Sequence, residues 1–149
     1  TFVARNIGSA KIRGDEWSWQ LASPGTRRGW SLDGNLTRLD ARDLGVDIRW
    51  YAGKVLPGRP ARQLRQRARL LLDALELGYE YEHLGRNYLD RWNREVVGKR
   101  DLHGLEARVG WRGVGFHVGL HNLTDARAAD VAGFPLPGRT FFVTTTYTR

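Results

Sequence analysis

The sequence has no cysteine and no methionine among its 149 residues. The absence of thiols excludes a disulfide framework, a thiolate zinc site and a cysteine nucleophile. No apolar run approaches the length of a transmembrane helix, and no basic-then-apolar signal segment opens the chain. Nucleophile motifs and glycine-rich phosphate loops are also missing, and Asp15-Glu16 has no catalytic partner in sequence, so a non-enzyme without cofactor is expected. Acid is scarce: 16 Asp and Glu against 24 Lys and Arg leave a net charge of +8. The opening at Thr1 leads us to expect a processed product or an excised piece of something longer. The length suits one ordinary domain over 1–149 and not two. A mean hydropathy of −0.50 is that of a soluble protein. A membrane-spanning β-barrel gives a similar average, however, because its strands alternate polar and apolar residues.

A basic chain can serve nucleic acid, anionic lipid or an acidic partner. The arginines are dispersed except for one dense patch, Arg59, Arg62, Arg65, Arg67 and Arg69. One functional reading is therefore a soluble basic β-domain that binds nucleic acid through that patch, with affinity falling steeply as salt rises. No recognised nucleic-acid reader motif accompanies it.

Between turn signals at Ser23-Pro24-Gly25, Leu56-Pro57-Gly58-Arg59-Pro60, Asp73-Ala74, Gly113 and Phe134-Pro135-Leu136-Pro137-Gly138, the dominant period is two, which is the period of strands. Leu75, Leu77, Tyr79 and Tyr81 alternate with Glu76, Gly78, Glu80 and Glu82. Val114, Phe116, Val118 and Leu120 alternate with Gly115, His117, Gly119 and His121. Phe141, Val143, Thr145 and Tyr147 alternate with Phe142, Thr144 and Thr146. Segments 10–21, 30–39 and 102–111 alternate less cleanly. Segment 61–77 also carries a helical stripe of good helix formers. We read it as a strand, because a hairpin with 75–83 then sets an arginine row beside a glutamate row on one face.

The tally is about seven antiparallel strands in an all-β meander. Connections alternate between short (22–29, 73–74, 112–113) and long (40–61, 84–99, 123–138). A soluble antiparallel sheet with one buried face and a membrane barrel both satisfy the alternation. The sorting of loops by length is the barrel's habit, with short periplasmic turns and long outer loops. In a barrel, the rows Glu76, Glu80, Glu82 and Arg65, Arg67, Arg69 would face a wet interior. Lys11 and Arg13, on the face of Trp17 and Trp19, would lie near the outer rim.

The ending carries a resemblance. His121-Asn122-Leu123-Thr124-Asp125, followed by Asp130-Val131-Ala132-Gly133-Phe134-Pro135-Leu136-Pro137-Gly138-Arg139-Thr140-Phe141-Phe142-Val143, resembles the carboxyl-terminal signature of TonB-dependent outer-membrane receptors. In that pattern Asn122, Leu123 and Asp125 close the penultimate strand. Pro137, Gly138 and Arg139 open the last one, which runs through Phe141 to Tyr147. Gly14-Asp15-Glu16, the Leu56–Arg62 stretch and Gly78-Tyr79-Glu80-Tyr81 resemble earlier family segments in the right order. The resemblance implies a plugged barrel of 22 strands in the bacterial cell outer membrane, of which this chain is about the last third, without the plug. It implies TonB-dependent uptake of a scarce ligand such as an iron–siderophore complex, haem or cobalamin. The implied partners are the remaining barrel and plug, the TonB–ExbB–ExbD complex, the barrel-assembly machinery, outer-membrane lipid and lipopolysaccharide, and a siderophore-like ligand, with no nucleic acid. Seven strands cannot close, so a fragment or part of a larger assembly is expected. The family's terminal aromatic would fall at Arg149, so the chain is expected to continue a little or to rely on Tyr147.

Loop 84–99 is the candidate ligand contact, through Arg86, Tyr88, Arg91 and Trp92. Guanidinium forks bind carboxylates, and aromatic rings cover planar ligands. The alternative for these residues is a loop facing lipopolysaccharide or solvent. His117 and His121 lie four strand residues apart, roughly 13 Å, too far for one metal, and His103 is on another strand; no metal site is expected. Circular dichroism in detergent is expected to be dominated by β-structure, and a mostly helical spectrum would defeat the whole assignment.

Overall fold

The computed structural model describes residues 8–25, 27–131 and 133–148. Ala132 of the closing motif and Arg149, the expected aromatic position, lie outside them. In chain order the strands are β1 (Ala10–Ala22), β2 (Arg28–Asp43), β3 (Arg62–Leu72), β4 (Leu75–Leu84), β5 (Asn87–Tyr88), β6 (Val96–Val97), β7 (Arg100–Trp111), β8 (Val114–His121), β9 (Ala129–Val131), β10 (Phe134–Pro135) and β11 (Thr140–Tyr147). Seven of them form one antiparallel sheet in the order β1-β2-β3-β4-β7-β8-β11, a meander with β1 and β11 at its edges. The expected all-β meander of seven strands is what the chain forms.

Segment 62–72 is a strand despite its helix-forming composition. It is paired on both sides, Leu64 with Leu36 and with His83, and such two-sided pairing overrides a weak local propensity. β2 runs to Asp43, four residues past the expected end at Leu39, because Ala10 to Gly14 continue to pair with it. In its last stretch Leu39 and Ala41 alternate with Arg38, Asp40 and Arg42, but the apolar run is only two residues and Asp43 follows on its face, so the strand signal there is short. The long connections carry local structure of their own: a 3-10 turn at Arg49–Tyr51, and the small ladders β5·β6 and β9·β10.

Register sorts the side chains into two faces, since directly paired residues point to the same side. One row reads Leu21, Leu32, Ala68, Tyr79, Leu105, Leu120 and Phe141, across all seven strands without a charge. The next row reads Trp30, Leu70, Leu77, Ala107, Val118 and Val143. Trp111, Val114 and Tyr147 form a further row at the short-turn rim. On the opposite face Asp33, Arg67, Glu80 and Gly104 are in register.

This apolar face is not a soluble core. Tyr79 and Leu77 are each 39 % exposed, Val118 45 % and Phe141 78 %, while the buried apolar residues among those described are Ala41, Leu56 and Val97, beside the long loops. On this face β3 carries no charge from Leu64 to Leu72, a span of roughly 27 Å along the strand.

Two glycines admit aromatic rings from the neighbouring strand. Gly34 lies under Trp19, where a Cβ would stand 2.5 Å from the indole and 2.7 Å from the Arg65 carbonyl oxygen. Gly119 lies under Phe142 in the same way, on the opposite face. Gly34→Val is expected to destabilise the sheet by about 1–3 kcal/mol in denaturant unfolding. Gly110→Val, where a Cβ meets nothing within 4 Å, is expected to be near neutral.

Candidate functional site

The polar face surrounds a concavity of about 1130 Å³, lined from Ser18 on β1 to Thr140 on β11. Its wall is an ion-paired lattice. Arg67 pairs with Glu80, and Arg65 reaches Glu82 at 3.2 Å. Glu82 also takes Arg100 at 2.7 Å, and Arg100 in turn meets Asp130. Arg108 bridges Glu76 at 2.9 Å and Glu106 at 2.6 Å. Arg69, opposite Gly78, has no ion pair among the described residues. The register sets two of these partners: the arginine and glutamate rows of β3 and β4 fall side by side, with Arg65 opposite Glu82 and Arg67 opposite Glu80. Phe142 lies between two imidazoles, edge-on to His117 at 4.9 Å and stacked with His121 at 5.3 Å. His103 is on the apolar face instead, where its Nδ1 lies 2.7 Å from the Tyr79 hydroxyl.

The same register divides the dense arginine patch. Arg65, Arg67 and Arg69 face the concavity, and Arg62 falls on the other face. The patch proposed for nucleic acid is therefore not one continuous surface, and two of its members are neutralised by glutamates.

At the opposite rim from the short turns, loops 44–61 and 85–99 are clamped together. The Arg91 guanidinium donates to Asp43 Oδ2 at 2.6 and 3.0 Å and to both Asp47 oxygens at 2.9 and 3.0 Å. It also lies 4.1 Å from the Tyr51 ring. Asp43, 1 % exposed, accepts the Gly45 amide as well. Asn93 completes the clamp like a strand partner, accepting from Val55 N and donating to Val55 O, both at 2.8 Å. Asp90 accepts the amides of Trp92, Arg94 and Glu95 and folds the hairpin tip. The pair of hydrogen bonds donated by Arg91 holds the Asp47 carboxyl below its usual range, and the two carboxylates hold the guanidinium above its own.

These contacts separate the four candidate ligand residues. Arg91 is committed to the clamp, with no fork left for a ligand. Tyr88 is half-buried in β5, its carbonyl accepting from Gly58 N. Arg86 is exposed at the start of the loop. Trp92 is 41 % exposed, edge-on to Tyr51 at 4.8 Å, with Arg94 5.3 Å above its ring. The fold adds Trp50, 77 % exposed on the facing loop. Adjacent aromatics Trp50-Tyr51 inside a long connection were the signal for it.

The closing motif has a mechanical basis. Asn122, buried and in the left-handed region at φ 50°, accepts from Ala126 N and donates to the carbonyls of Ala126 and Pro137. Asp125 accepts the Arg139 amide at 2.8 Å, and its Oδ1 occupies the space a Cβ on residue 138 would need, so Gly138 fits there. Leu123 donates its amide to the His103 carbonyl. The motif thus ties both ends of loop 122–139 and delivers Phe141 and Tyr147 into register with Leu120 and Val114.

Solved structures share the fold. The ferric preacinetobactin receptor BauA of Acinetobacter baumannii superposes with a TM-score of 0.78 at 23% identity, covering 93% of this chain and 22% of its own. The siderophore receptor PiuA of the same organism gives 0.76 at 20%, covering 91% and 21%. The ferric yersiniabactin uptake receptor FyuA of Yersinia pestis gives 0.71 at 20%, covering 91% and 22%. The chain shares its fold with a stretch of each receptor. It spans about a fifth of their length. No protein-family model matches the sequence, and no curated protein is significantly similar to it.

Arg91→Ala, which leaves buried Asp43 unpaired, is expected to cost about 3 kcal/mol of local stability, read as faster amide exchange at Gly45 and Val55. Arg91→Lys recovers only part, since an ammonium cannot span two carboxylates. Because Asp47 titrates lower when folded, the clamp is intact above the ordinary value of 3.8 and is lost as pH falls through the depressed one.

Proposed function

We propose that this chain is wall from the carboxyl-terminal part of a TonB-dependent outer-membrane receptor, working in uptake of a scarce ligand such as an iron–siderophore complex, haem or cobalamin. The observation that carries the reading is the uncharged row from Leu21 to Phe141, half to largely exposed on one face of a sheet whose other face is an ion-paired wet wall. An exposed apolar surface of this extent calls for a nonpolar solvent, and backbone pairing within a closed sheet is how strands meet lipid. The likeness in fold to three siderophore or ferric-chelate receptors supports the same reading, as does the closing motif.

On this reading the role is transport and not catalysis. The lattice of Arg65, Arg67, Glu80, Glu82 and Arg100 lines the lumen against the plug. The free edges of β1 and β11 pair with strands of the remaining barrel. The barrel-assembly machinery inserts the wall, and energy reaches the receptor from TonB–ExbB–ExbD through the plug. The clamped loops stand outside the cell. There Trp50, Trp92, Arg94, Arg86 and Tyr88 offer aromatic faces and guanidinium groups to the ligand, and Arg91 holds the loops that present them.

Val143 and Thr144 are neighbours on β11 that face opposite ways. In the full-length receptor, Val143→Arg is expected to cost about 2–4 kcal/mol and to deplete heat-resistant folded protein in the outer membrane. Thr144→Arg, on the wet face, should be tolerated. In the same assay, Tyr88→Ala with Trp92→Ala should lower uptake several-fold at unchanged receptor level. Equal tolerance of the two arginines would sink the lipid-facing assignment, and unchanged uptake would reduce the chain to a wall element.

A further inference from the structure

Four charges alternate at the long-loop end of the polar face: Arg65, Glu82, Arg100 and Asp130. Arg65 and Glu82 line the concavity. The first three belong to the sheet, on β3, β4 and β7. Asp130 does not; it comes from β9, inside the last long connection. Arg100 directs Nε and Nη2 to Glu82 Oε1, at 3.2 and 2.7 Å, and turns Nη1 to Asp130. The partners in that last pair are unequal. The Arg100 side chain is 13 % exposed and braced by Glu82, whereas the Asp130 side chain is 52 % exposed. An ion pair with one member in water shifts an equilibrium by about fivefold at most.

Asp130 can let go of Arg100 while its backbone stays in place. Asn122 holds Ala126, the Ala128 carbonyl accepts from Leu136 N, and Asp125 holds the Arg139 amide. Rotation of one side chain is enough to free Nη1. Two guanidinium groups, Arg65 and Arg100, then share one carboxylate, Glu82. A nearly buried guanidinium with an unfilled edge calls for an acceptor, and its fork suits a carboxylate. Asp130 itself states the chemistry that fits there. We propose that Asp130 is an autoinhibitory partner, holding Arg100 until a carboxylate of an incoming ligand takes its place. This rests on the reading that the concavity is a lumen that a ligand enters. It adds the charge that ligand carries and the internal group it must displace.

The test is titration calorimetry of the full-length receptor in non-ionic detergent, with citrate and its uncharged trimethyl ester as probes. Wild type is expected to bind citrate and not the ester. D130N, which removes the competing charge, should bind citrate about threefold to fivefold more tightly. In an R100Q background the same change should give no gain, because the probe then has no fork to take over. Unchanged or weaker citrate binding by D130N overturns the proposal, and that comparison decides even if R100Q fails to fold. A gain that persists without Arg100 also overturns it, since it then reflects relief of general repulsion. So does failure of citrate to bind either wild type or D130N, or equal binding of the ester. Equal tolerance of Val143→Arg and Thr144→Arg takes the receptor reading down as well. A receptor that discriminates between those two but shows no gain in D130N takes down this inference alone.

Discussion

Everything in this molecule follows from cross-strand registration. Once Arg67 is opposite both Asp33 and Glu80, every other residue on seven strands is assigned a side. A slip of one residue between β3 and β4 would put Leu70 beside glutamate and Arg67 beside tyrosine. The charge lattice and the apolar rows thus specify the same alignment from opposite faces. Two of the closest ring-to-backbone approaches, Trp19 over Gly34 and Phe142 over Gly119, reinforce it by shape.

The wall is built to tolerate two solvents without a conventional interior. Its few buried apolar residues sit near the Arg91 clamp, so the tightest packing lies at the loop rim and not within the sheet. There the protein solves a local problem. Long connections expose polar backbone, and Asn93, Asp90 and Asp43 satisfy it with side chains that imitate strand and turn partners. Asn122 and Asp125 do the same work at the final crossing, where Gly138 leaves room for the Asp125 carboxylate.

Strands with clean alternation, β4, β8 and β11, were legible because the two faces differ sharply in polarity. The end of β2 was not, since its apolar members there are only Leu39 and Ala41 and Asp43 breaks the period on their face. Segment 62–72 was legible only as one half of a hairpin: its own residues favour a helix, and the glutamates of β4 tip the choice. In the loops, residue type pointed to the right neighbourhood and the wrong role. An arginine in an aromatic-rich loop reads as a ligand fork, and the two aspartates that occupy Arg91 are 48 and 44 residues away.

By itself the sequence determined the alternation, and with it the strands, the two faces and the separation of short turns from long loops, because these depend on neighbours two residues apart. Tertiary structure alone decided which charges are consumed and which stand free. Arg91 is taken up by Asp43 and Asp47, Arg65 and Arg67 by glutamates, while Arg38 and Arg62 are left facing each other. The fate of a charge is settled by whatever lies within a few ångströms, and in a sheet that neighbour comes from another strand or a distant loop.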